Sequence, residues 1–287
     1  LCTTRKNVKN MNDIQRTFIV GDKWLYYKIY TGPKTSELIL SEVIKPISER
    51  LLKQNVIDKW FFVRYNDPEY HLRVRFHCQI FENISEVIHE LRLALDKYVQ
   101  NDLVYDVQVG TYKRELERYG IKTIEKFEEL FFQDSVMIAK YLEQVDEINL
   151  ENKRWLFGAI AVDRILDLFG YSLKDKCQII EKLKTSFGRE FGFNRSLKKQ
   201  LDDKYQKNKC LLKKNVTQDQ QYKLENKDFK NLLLGYEIHA EKIIDSLILD
   251  TENTDLEVKV KSYLNMMLNR LFRSKNRLQE FTLYYLL

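Results

Sequence analysis

The short segment HLRVRF, residues 71–76, places a basic side chain at every second position. Alternation of apolar and polar residues with a period of two is typical of a half-buried β-strand, so the basic side chains are predicted to share one face. Residues two apart on such a face are separated by roughly 6.5–7 Å, and two guanidinium groups at that distance repel each other. Two explanations stay open: an anion bound beside the arginines, or acidic neighbours on a solvated sheet face. The basic residues are His71, Arg73 and Arg75.

More arginines lie in two nearby segments. Arg64 belongs to the strand-like segment before HLRVRF, and the segment TYKRELERYG contains Arg114 and Arg118. Arginine stays charged and grips oxyanions in a planar fork, so convergent arginines favour a substrate that carries a carboxylate or a phosphate. The competing explanation is that Glu115 and Glu117 pair with these arginines locally and that nothing binds.

An N-terminal region of mixed strands and helices is predicted to position the arginines. Its order is strand, helix, strand, strand, helix, strand, which predicts an antiparallel sheet of the split βαβ, or ferredoxin-like, kind. Pro46 lies inside the first helical pattern and is expected to kink that helix or end its first part. Asn83 or Ser85 is expected to cap the second helix. The predicted elements are a strand at 24–30, a helix after Gly32–Pro33, strands at 59–65 and 71–76 around a turn at 66–69, a helix at 83–100 and a strand at 103–112.

The rest of the chain is predicted to be mostly helical, which makes the fold class α+β with a sheet first and helices after it. We expect a flexible N-terminus at 1–14, a sheet region at 15–121 and a helical region at 122–287, with the last two forming one compact unit. The lysine-rich stretch 195–214 has few apolar anchors and is predicted to be a solvated loop or an exposed helix. Helices are predicted at 122–145, 150–169, 174–190, 219–249 and 254–274.

The composition argues against several classes of protein. The 287 residues carry a net charge of +6, which is only mildly basic and has no polycationic tail. No apolar run approaches the roughly 18 residues of a membrane-spanning helix, and the polar N-terminus does not resemble a signal peptide. Scattered cysteines without a CxxC pair predict reduced thiols, a cytoplasmic location and no structural zinc. The cysteines are Cys2, Cys78, Cys177 and Cys210. Because the chain begins with Leu, we also expect it to be a fragment or a processed product.

Standard catalytic signatures are missing from the sequence. It contains no GxSxG elbow, no P-loop lysine motif, no GxGxxG and no HExxH. The histidines do not form a metal-ligand pattern, and we expect neither a cofactor nor a metal site. They are His71, His77, His89 and His239.

Four segments together resemble the C-terminal, elimination domain of lantibiotic dehydratases, which also occurs as stand-alone proteins in thiopeptide-type bacteriocin biosynthesis. The hairpin RYNDPEYHLRVRF matches the family's RY-DP-HLR-R pattern closely. TYKRELERYG resembles the Y-E-RYGG element, with Ile121 where a second glycine is usual. FEELFFQDS resembles the acidic helix that ends in F-DS, and SYLNMMLNRLF resembles the late HM-NR helix. The resemblance covers the chain from about residue 15 to its C-terminus.

The resemblance implies a step in the maturation of a ribosomally made peptide. In the family, Ser or Thr of a precursor peptide is glutamylated from glutamyl-tRNA, and the elimination domain then expels glutamate to leave dehydroalanine or dehydrobutyrine. The implied partners are a precursor peptide with its leader and a separate glutamyl-tRNA-dependent glutamylating protein, and direct tRNA binding is not required of this chain. By motif match, Arg73, Arg75 and either Arg114 or Arg118 stabilise the charge of the leaving glutamate.

One position departs from the family pattern. Asn265 stands where the family has a histidine that resembles a general acid/base, and an amide cannot shuttle a proton near neutral pH. Ser262, Asn265 and Asn269 are predicted to share one helix face, which keeps that region polar. His71, on the same strand face as the hairpin arginines, is the candidate substitute.

Two other functions stay open beside glutamate elimination. The first is that of the related pyridine synthases, which join two dehydroalanines by a formal [4+2] cycloaddition and expel the leader. Arg73 and Arg75 argue against this function, and Asn265 argues for it. The second is an inactive peptide-binding subunit that takes up a leader peptide by strand addition at a sheet edge.

Overall fold

The computed structural model describes residues 14–144, 147–216 and 227–287. The N-terminal segment that the sequence predicts to be flexible, residues 1–14, lies outside these ranges except for its last residue. The predicted start of the helix at 219 also lies outside them, as does Cys2. None of the helices in the described ranges is both long enough and apolar enough to cross a bilayer.

The predicted antiparallel sheet is confirmed, and its strands lie in the order β3–β4–β2–β5. Strand β4 separates β2 from β3 and runs antiparallel to both, so the two strands joined by the first helical segment are split by a third. A second, two-stranded sheet pairs β1 with β6. The strands are β1 (Thr17–Phe18), β2 (Trp24–Thr31), β3 (Lys59–Asn66), β4 (Tyr70–His77), β5 (Val104–Gly110) and β6 (Tyr112–Lys113).

The α-helical bonding of the first helical segment is interrupted just before Pro46, where the sequence predicted a kink or the end of the helix's first part. Helix α1 (Pro33–Ile39) continues through a π-helical turn, Leu40–Ile44, into α2 (Lys45–Lys53). The N–H of Lys45 bonds to the carbonyl of Leu40, five residues back, so a widened turn lies directly before Pro46 and makes room for its ring. A proline lacks an N–H and its ring clashes with the carbonyl four residues back, and one wide turn relieves both problems.

The predicted cap of the second helix is wrong. Helix α3 (Ile84–Gln100) is preceded by a 3₁₀ turn, so Asn83 already has helical backbone angles and its side chain caps nothing. The amide of Asn83 instead donates to the carbonyl of Val56 at 3.4 Å, and Ser85 Oγ donates to the carbonyl of Glu82.

The C-terminal half is helical, as predicted, and its helices pack beside the sheet. The stretch predicted as a loop or an exposed helix is the exposed helix α8. Helix α11 was not predicted, and its aromatic and leucine side chains pack into the core. The helices are α4 (Leu116–Tyr119), α5 (Ile124–Gln144), α6 (Glu147–Leu168), α7 (Leu173–Glu190), α8 (Arg195–Val216), α9 (Lys227–Leu249), α10 (Asn253–Leu271) and α11 (Asn276–Leu286).

Helices α5 and α10 close the outer edge of β3. Ser135 Oγ accepts a hydrogen bond from the backbone N–H of Phe62 at 3.2 Å. The side-chain amide of Asn269 accepts from the N–H of Arg64 at 2.9 Å and donates to the carbonyl of Arg64 at 3.0 Å. An edge strand normally leaves such groups unpaired, so these side chains replace a neighbouring strand.

We expect Asn269→Ala to lower the free energy of unfolding by about 2–4 kcal/mol, because two partly buried backbone groups lose their partners. Urea unfolding followed by circular dichroism measures the change. Asn215→Ala is the matched control, since within the described ranges the amide of Asn215 bonds to its own helix at Leu211 and to no other element. A loss no larger than that of the control would mean that the side-chain amide does not hold the edge.

Candidate active site

One side of the four-stranded sheet carries the basic residues of β4, and we call this side the arginine face. His71, Arg73 and Arg75 lie on it, whereas Leu72 and Val74 point to the opposite, fully buried side. The register places Tyr26 and Phe61 on either side of Arg75 in the neighbouring strands. The predicted alternation of the strand is therefore confirmed, and aromatic residues flank the arginines across the sheet.

Arg75 sits in a box of aromatic rings. Its guanidinium carbon lies 4.6 Å from the ring centroid of Tyr26, 5.1 Å from that of Phe61 and 4.8 Å from that of Tyr112. Nε and Nη1 are shielded from solvent and have no hydrogen-bond partner among the described residues. Burial lowers the pKa of Arg75, yet an arginine keeps its proton in a protein. The box thus holds a cation with two shielded nitrogens that can still donate hydrogen bonds to an acceptor.

A second arginine from another part of the chain meets the same ring. Arg270 of α10 is fully buried, and its guanidinium lies 4.7 Å from the ring centroid of Phe131 and 6.0 Å from that of Phe61. Nη1 reaches Asp134 at 3.5 Å, while Nε and Nη2 have no partner in the described ranges. Burial lowers the pKa of Arg270, Asp134 opposes that shift, and the charge of Arg75 adds to it. The Phe61 ring thus adjoins two cations with unused donors.

Arg270 is the arginine of the NR motif, but no role was predicted for it. Helical spacing was the available signal, because Arg270 shares a face with Tyr263 and Met267, seven and three residues before it. Both of those residues are fully buried. A charged residue on the buried face of a helix needs an internal partner or a ligand.

Asp134 anchors a buried chain of hydroxyl groups behind Arg270. Tyr263 donates to Asp134 Oδ1 at 2.6 Å, and the hydroxyls of Tyr236 and Tyr263 are 2.6 Å apart. Burial raises the pKa of Asp134 from its ordinary value of 3.8 to about 7, although Arg270 and the Tyr263 hydrogen bond act against that shift. The charge on Asp134 therefore changes near neutral pH, next to one of the two buried arginines.

Arg73 and His71 form a pair of their own on the arginine face. Arg73 Nε donates to His71 Nε2 at 3.0 Å, and its guanidinium lies 3.4 Å from the ring centroid of Tyr65. Since an arginine only donates, His71 Nε2 accepts and the proton sits on Nδ1, which bonds to the carbonyl of Glu69 at 2.8 Å. Burial lowers the pKa of His71, and the charge of Arg73 lowers it further. The imidazole is therefore neutral at pH 7.

Arg114 is neutralised by an acid that the sequence did not suggest. Its guanidinium holds Glu128 with two hydrogen bonds of 2.8 and 2.7 Å, and both side chains are buried. Glu125 adds a contact at 3.2 Å. The hydroxyl of Tyr112 also donates to Glu128 at 2.7 Å, so this ion pair lies behind one wall of the Arg75 box.

Arg118 pairs with Glu115 at 3.1 Å on the surface, with 45% of its side chain exposed. This is the local pairing that the sequence allowed, whereas Glu117 pairs with Arg16. Burial lowers the pKa of Arg75, and the charge of Glu115 opposes that shift. Burial raises the pKa of Tyr119, which lies next to Arg118 in the chain, and the charges of Arg118 and Arg270 oppose that shift.

Arg64 points away from the arginine face and is a structural residue. It is buried, it donates to Glu37 at 3.1 Å and its Nε donates to the carbonyl of Arg270 at 3.0 Å. Arg154 of α6 donates to both oxygens of Glu37, at 2.8 and 3.1 Å. Glu37 therefore joins α1, β3 and α6 through two buried arginines.

The contacts of Asn265 run to α11 rather than to the hairpin arginines. Its amide donates to Glu280 at 2.6 Å, and Tyr284 donates to the other carboxylate oxygen at 2.9 Å. Burial raises the pKa of Glu280 from 4.5 to about 7, with the two hydrogen bonds opposing the shift. Asn269, which was predicted to share a polar face with Asn265, instead clamps the edge of β3.

In the described ranges, no three His, Cys, Asp or Glu side chains converge in a way that would hold a metal ion. The arrangement can instead receive an anion. Arg75 and Arg270 offer shielded donors, Arg73 adds a third cation, and none of the three forms a short ion pair with an acid in the described part of the chain. Carboxylates and phosphates are the usual partners of such arginines.

The chain is similar in sequence to a known family and to one of its curated members. The sequence model of the family described as "Lantibiotic biosynthesis dehydratase C-term" matches residues 24–287. The subtilin biosynthesis protein SpaB of Bacillus subtilis is 25% identical over 179 residues, which are 61% of this chain and 17% of SpaB. This chain therefore spans a small part of the length of that relative.

Solved structures share the fold. The tRNA-dependent lantibiotic dehydratase MibB from Microbispora sp. 107891 superposes with a TM-score of 0.74 at 19% identity, over 96% of this chain and 28% of MibB. The pyridine synthase TbtD from thiomuracin biosynthesis superposes with a TM-score of 0.63 at 11% identity, over 92% of this chain and 96% of TbtD.

The raised pKa of Asp134 predicts a dependence of stability on pH. Between about pH 4 and 7 the folded protein keeps a proton on Asp134 that the unfolded chain has lost, so this group's contribution to the free energy of unfolding falls as the pH rises. Asp134→Asn cannot titrate. The stability of the wild type minus that of the variant should therefore decrease from pH 4 to about pH 7 and then level off.

Urea unfolding at half-unit pH steps measures this difference. Glu280 titrates in the same window with the same sign, but it is present in both proteins and cancels. A difference that stays constant over the whole range would contradict the buried, proton-binding state of Asp134.

Proposed function

The chain belongs to the lantibiotic biosynthesis dehydratase C-terminal family, and from that premise we propose that it eliminates glutamate from glutamylated Ser or Thr of a precursor peptide. The products are dehydroalanine from Ser and dehydrobutyrine from Thr. A base takes the α-proton, the electrons of that bond form the Cα–Cβ double bond, and the Cβ–O bond breaks. The glutamate leaves with the electron pair as a carboxylate.

The observation that carries this proposal is the set of arginine donors without partners on the arginine face. Arg75 Nε and Nη1 and Arg270 Nε and Nη2 are buried, and leaving a buried charged group unsatisfied is costly. A glutamyl ester brings a carboxylate in the ground state and forms a second one as its C–O bond breaks. Donors fixed where charge develops are among the largest contributions to catalysis.

We assign the proton transfer to His71. Its Nε2 lone pair is held by Arg73 in the free protein. A substrate carboxylate competes for Arg73, and once Arg73 turns to it the imidazole nitrogen is free to take the α-proton. Binding of the charged leaving group would then switch on the base. Asn265 takes no part in this scheme, because its amide donates to Glu280.

Between the two arginines of the second motif, we propose Arg118 as the one that contacts substrate. It is half exposed, its partner Glu115 acts electrostatically on Arg75, and a surface ion pair is weak enough to exchange for a ligand. Arg114 is held on two sides by the buried Glu128. We give Arg114 a positioning role, since Glu128 also fixes the hydroxyl of Tyr112.

The glutamylated substrate requires a partner activity. We propose that a separate glutamyl-tRNA-dependent protein, or a part of a longer polypeptide, supplies it, because the matched region is 17% of SpaB and 28% of MibB. The direct substrate of this chain is then the glutamylated precursor peptide with its leader.

A second candidate function is pyridine synthesis by formal cycloaddition of two dehydroalanines. The observation that favours it is Asn265, whose place in the fold lacks a titratable side chain of its own. The donors of Arg75 and Arg270 that have no partner among the described residues favour elimination, because a cycloaddition releases no glutamate. A third candidate, an inactive peptide-binding subunit, would bind the glutamylated peptide and leave its mass unchanged.

The deciding experiment incubates the purified protein with a glutamylated precursor peptide and follows its mass. Loss of one glutamate per modified residue is expected. Arg75→Met keeps the aliphatic stem between the rings but removes the charge, so we expect kcat/KM to fall about 100-fold or more and glutamylated peptide to accumulate. Arg73→Ala should cause the same accumulation.

Arg50→Met is the matched control, because Arg50 forms only an exposed pair with Glu90. It should eliminate glutamate at the wild-type rate. Elimination at that rate by a folded Arg75→Met protein would end the proposal. Release of the leader with ring formation would support the pyridine synthase instead.

The role of His71 predicts a pH profile. The pKa of His71 lies below its ordinary value of 6.5, so kcat/KM should fall as the pH drops below that pKa and the base is protonated. His71→Phe keeps a ring between Tyr30 and Tyr65 but removes the base. Its residual activity should lack this acidic limb, and a variant that keeps the limb would exclude His71 as the base.

A further inference from the structure

The two edges of the four-stranded sheet differ in whether their outward backbone groups have hydrogen-bond partners. At the β3 edge, the N–H groups of Phe62 and Arg64 are bonded by side chains from α5 and α10. At the β5 edge, no described element pairs with the strand on its outer side. The open edge lies in the same sheet that carries the arginine face.

The alternation of hydrogen bonds identifies which β5 groups face outward. Because Phe62 and Arg64 bond away from β4, the alternate residues Phe61 and Val63 bond to β4, and the partner of Phe61 there is Arg75. The next residue, Val74, then bonds to β2, and one step further Tyr26 bonds to β5 at Gly110.

Val109, next to Gly110, therefore directs its N–H and C=O out of the sheet. Val107 does the same, two residues earlier. Natural edge strands are usually blunted by lysine, proline, bulges or a covering element. The strand VYDVQVG contains neither lysine nor proline and has Asp106 as its one charge, and the register shift at Tyr105 leaves residues 106–110 as its regular part. Tyr105 and Val109 are 55% and 39% exposed. These features are those of a strand that accepts another strand.

A row of residues that lie opposite one another in neighbouring strands leads from this edge to Arg75. Gly110 is opposite Tyr26, and Tyr26 is opposite Arg75. Residues that are directly opposite share a face, so the row runs along the arginine face. Gly110 contributes no side chain, and a Cβ placed on it would meet only the Tyr26 ring at 3.5 Å and the end of Lys28 at 3.9 Å. We call the strip of the arginine face that runs from Gly110 past the buried Tyr26 ring to Arg75 the lane, and Gly110 adds no side chain to it.

We propose that an extended segment of the precursor peptide adds to β5 as a fifth strand and places its glutamylated residue beside Gly110. The inference rests on the proposed function for the nature of the ligand. Strand addition supplies affinity through the backbone, and side chains at alternate positions supply specificity. The glutamyl group projects onto the arginine face, where the cations Lys28, Arg73 and Arg75 complement its charge.

The distances along the lane fit this placement. An added strand would lie about 14 Å from β4 across three strand spacings of about 4.8 Å. An extended O-glutamyl serine side chain reaches roughly 9 Å from its Cα, by addition of bond lengths. Arg75 leans towards β2, with its guanidinium carbon 4.6 Å from the Tyr26 ring centroid. The two side chains together therefore close the gap.

The test uses a fluorescein-labelled ten-residue peptide of alternating Val and Thr with one O-glutamyl serine at its centre. Val109→Pro removes the outward N–H without touching a bond of the sheet, and edge strands tolerate proline. We expect KM and the dissociation constant from fluorescence anisotropy to rise about five-fold, with kcat changed less than two-fold. Val109→Thr keeps the N–H and should behave as the wild type. Circular dichroism verifies that both variants fold.

Gly110→Val is the second variant and tests the lane itself. It should weaken binding of the glutamylated peptide and leave binding of the same peptide with an unmodified serine unchanged. Wild-type affinity of folded Val109→Pro for the glutamylated peptide would overturn the inference. So would a wild-type dimer that Val109→Pro converts to a monomer without a change in peptide affinity, because the edge would then pair with a second copy.

The two proposals fail separately. If the wild-type protein binds the peptide, and Val109→Pro weakens that binding, but no glutamate is released, then the elimination proposal fails and the edge inference stands. If glutamate is released and both variants behave as the wild type, then the edge inference fails and the elimination proposal stands.

Discussion

The structure depends on one electrostatic constraint: two guanidinium groups are held beside the same aromatic ring with donors that no described residue satisfies. Arg75 comes from β4 and Arg270 from α10, and Phe61 contacts both. Ring faces stabilise cations, yet they cannot accept strong hydrogen bonds from four shielded guanidinium nitrogens. The surrounding fold maintains this arrangement. The Arg114–Glu128 pair fixes Tyr112 as one wall, and Asp134 holds one nitrogen of Arg270.

Whether the sequence could predict a contact in the site depended on how far apart in the chain the two residues lie. Alternation in HLRVRF predicted the shared face of Arg73 and Arg75, because a strand's periodicity is a local property. The partner of Arg114 could not be predicted in this way, since Glu128 belongs to a separate helix and only Glu115 and Glu117 were close in sequence. Arg118 does pair with Glu115, as local spacing allowed.

The same reasoning explains the errors in the fold. Pro46 was predicted to kink the first helix or to end its first part, and that part does end before Pro46, but sequence spacing did not indicate that a widened turn would join the two parts. The cap assigned to Asn83 or Ser85 failed because a 3₁₀ turn precedes the helix. No role was predicted for Arg270, because the departure from the family pattern lies at Asn265, where the family has a histidine. Its burial depends on how α10 packs against α5 and β3, which no local pattern reveals.

Asn269 connects the edge of the sheet to the chemistry beside it. Its amide makes two hydrogen bonds to the backbone of Arg64, so α10 cannot slide or turn relative to β3 without losing both. Arg270 is the next residue in the chain, and its guanidinium therefore keeps its position towards Arg75 although the two cations repel each other. A carboxylate that arrives between them meets preorganised donors, and little conformational entropy is lost in gathering them. The clamp at the sheet edge thereby holds in place a repulsion between two cations that a bound carboxylate would relieve.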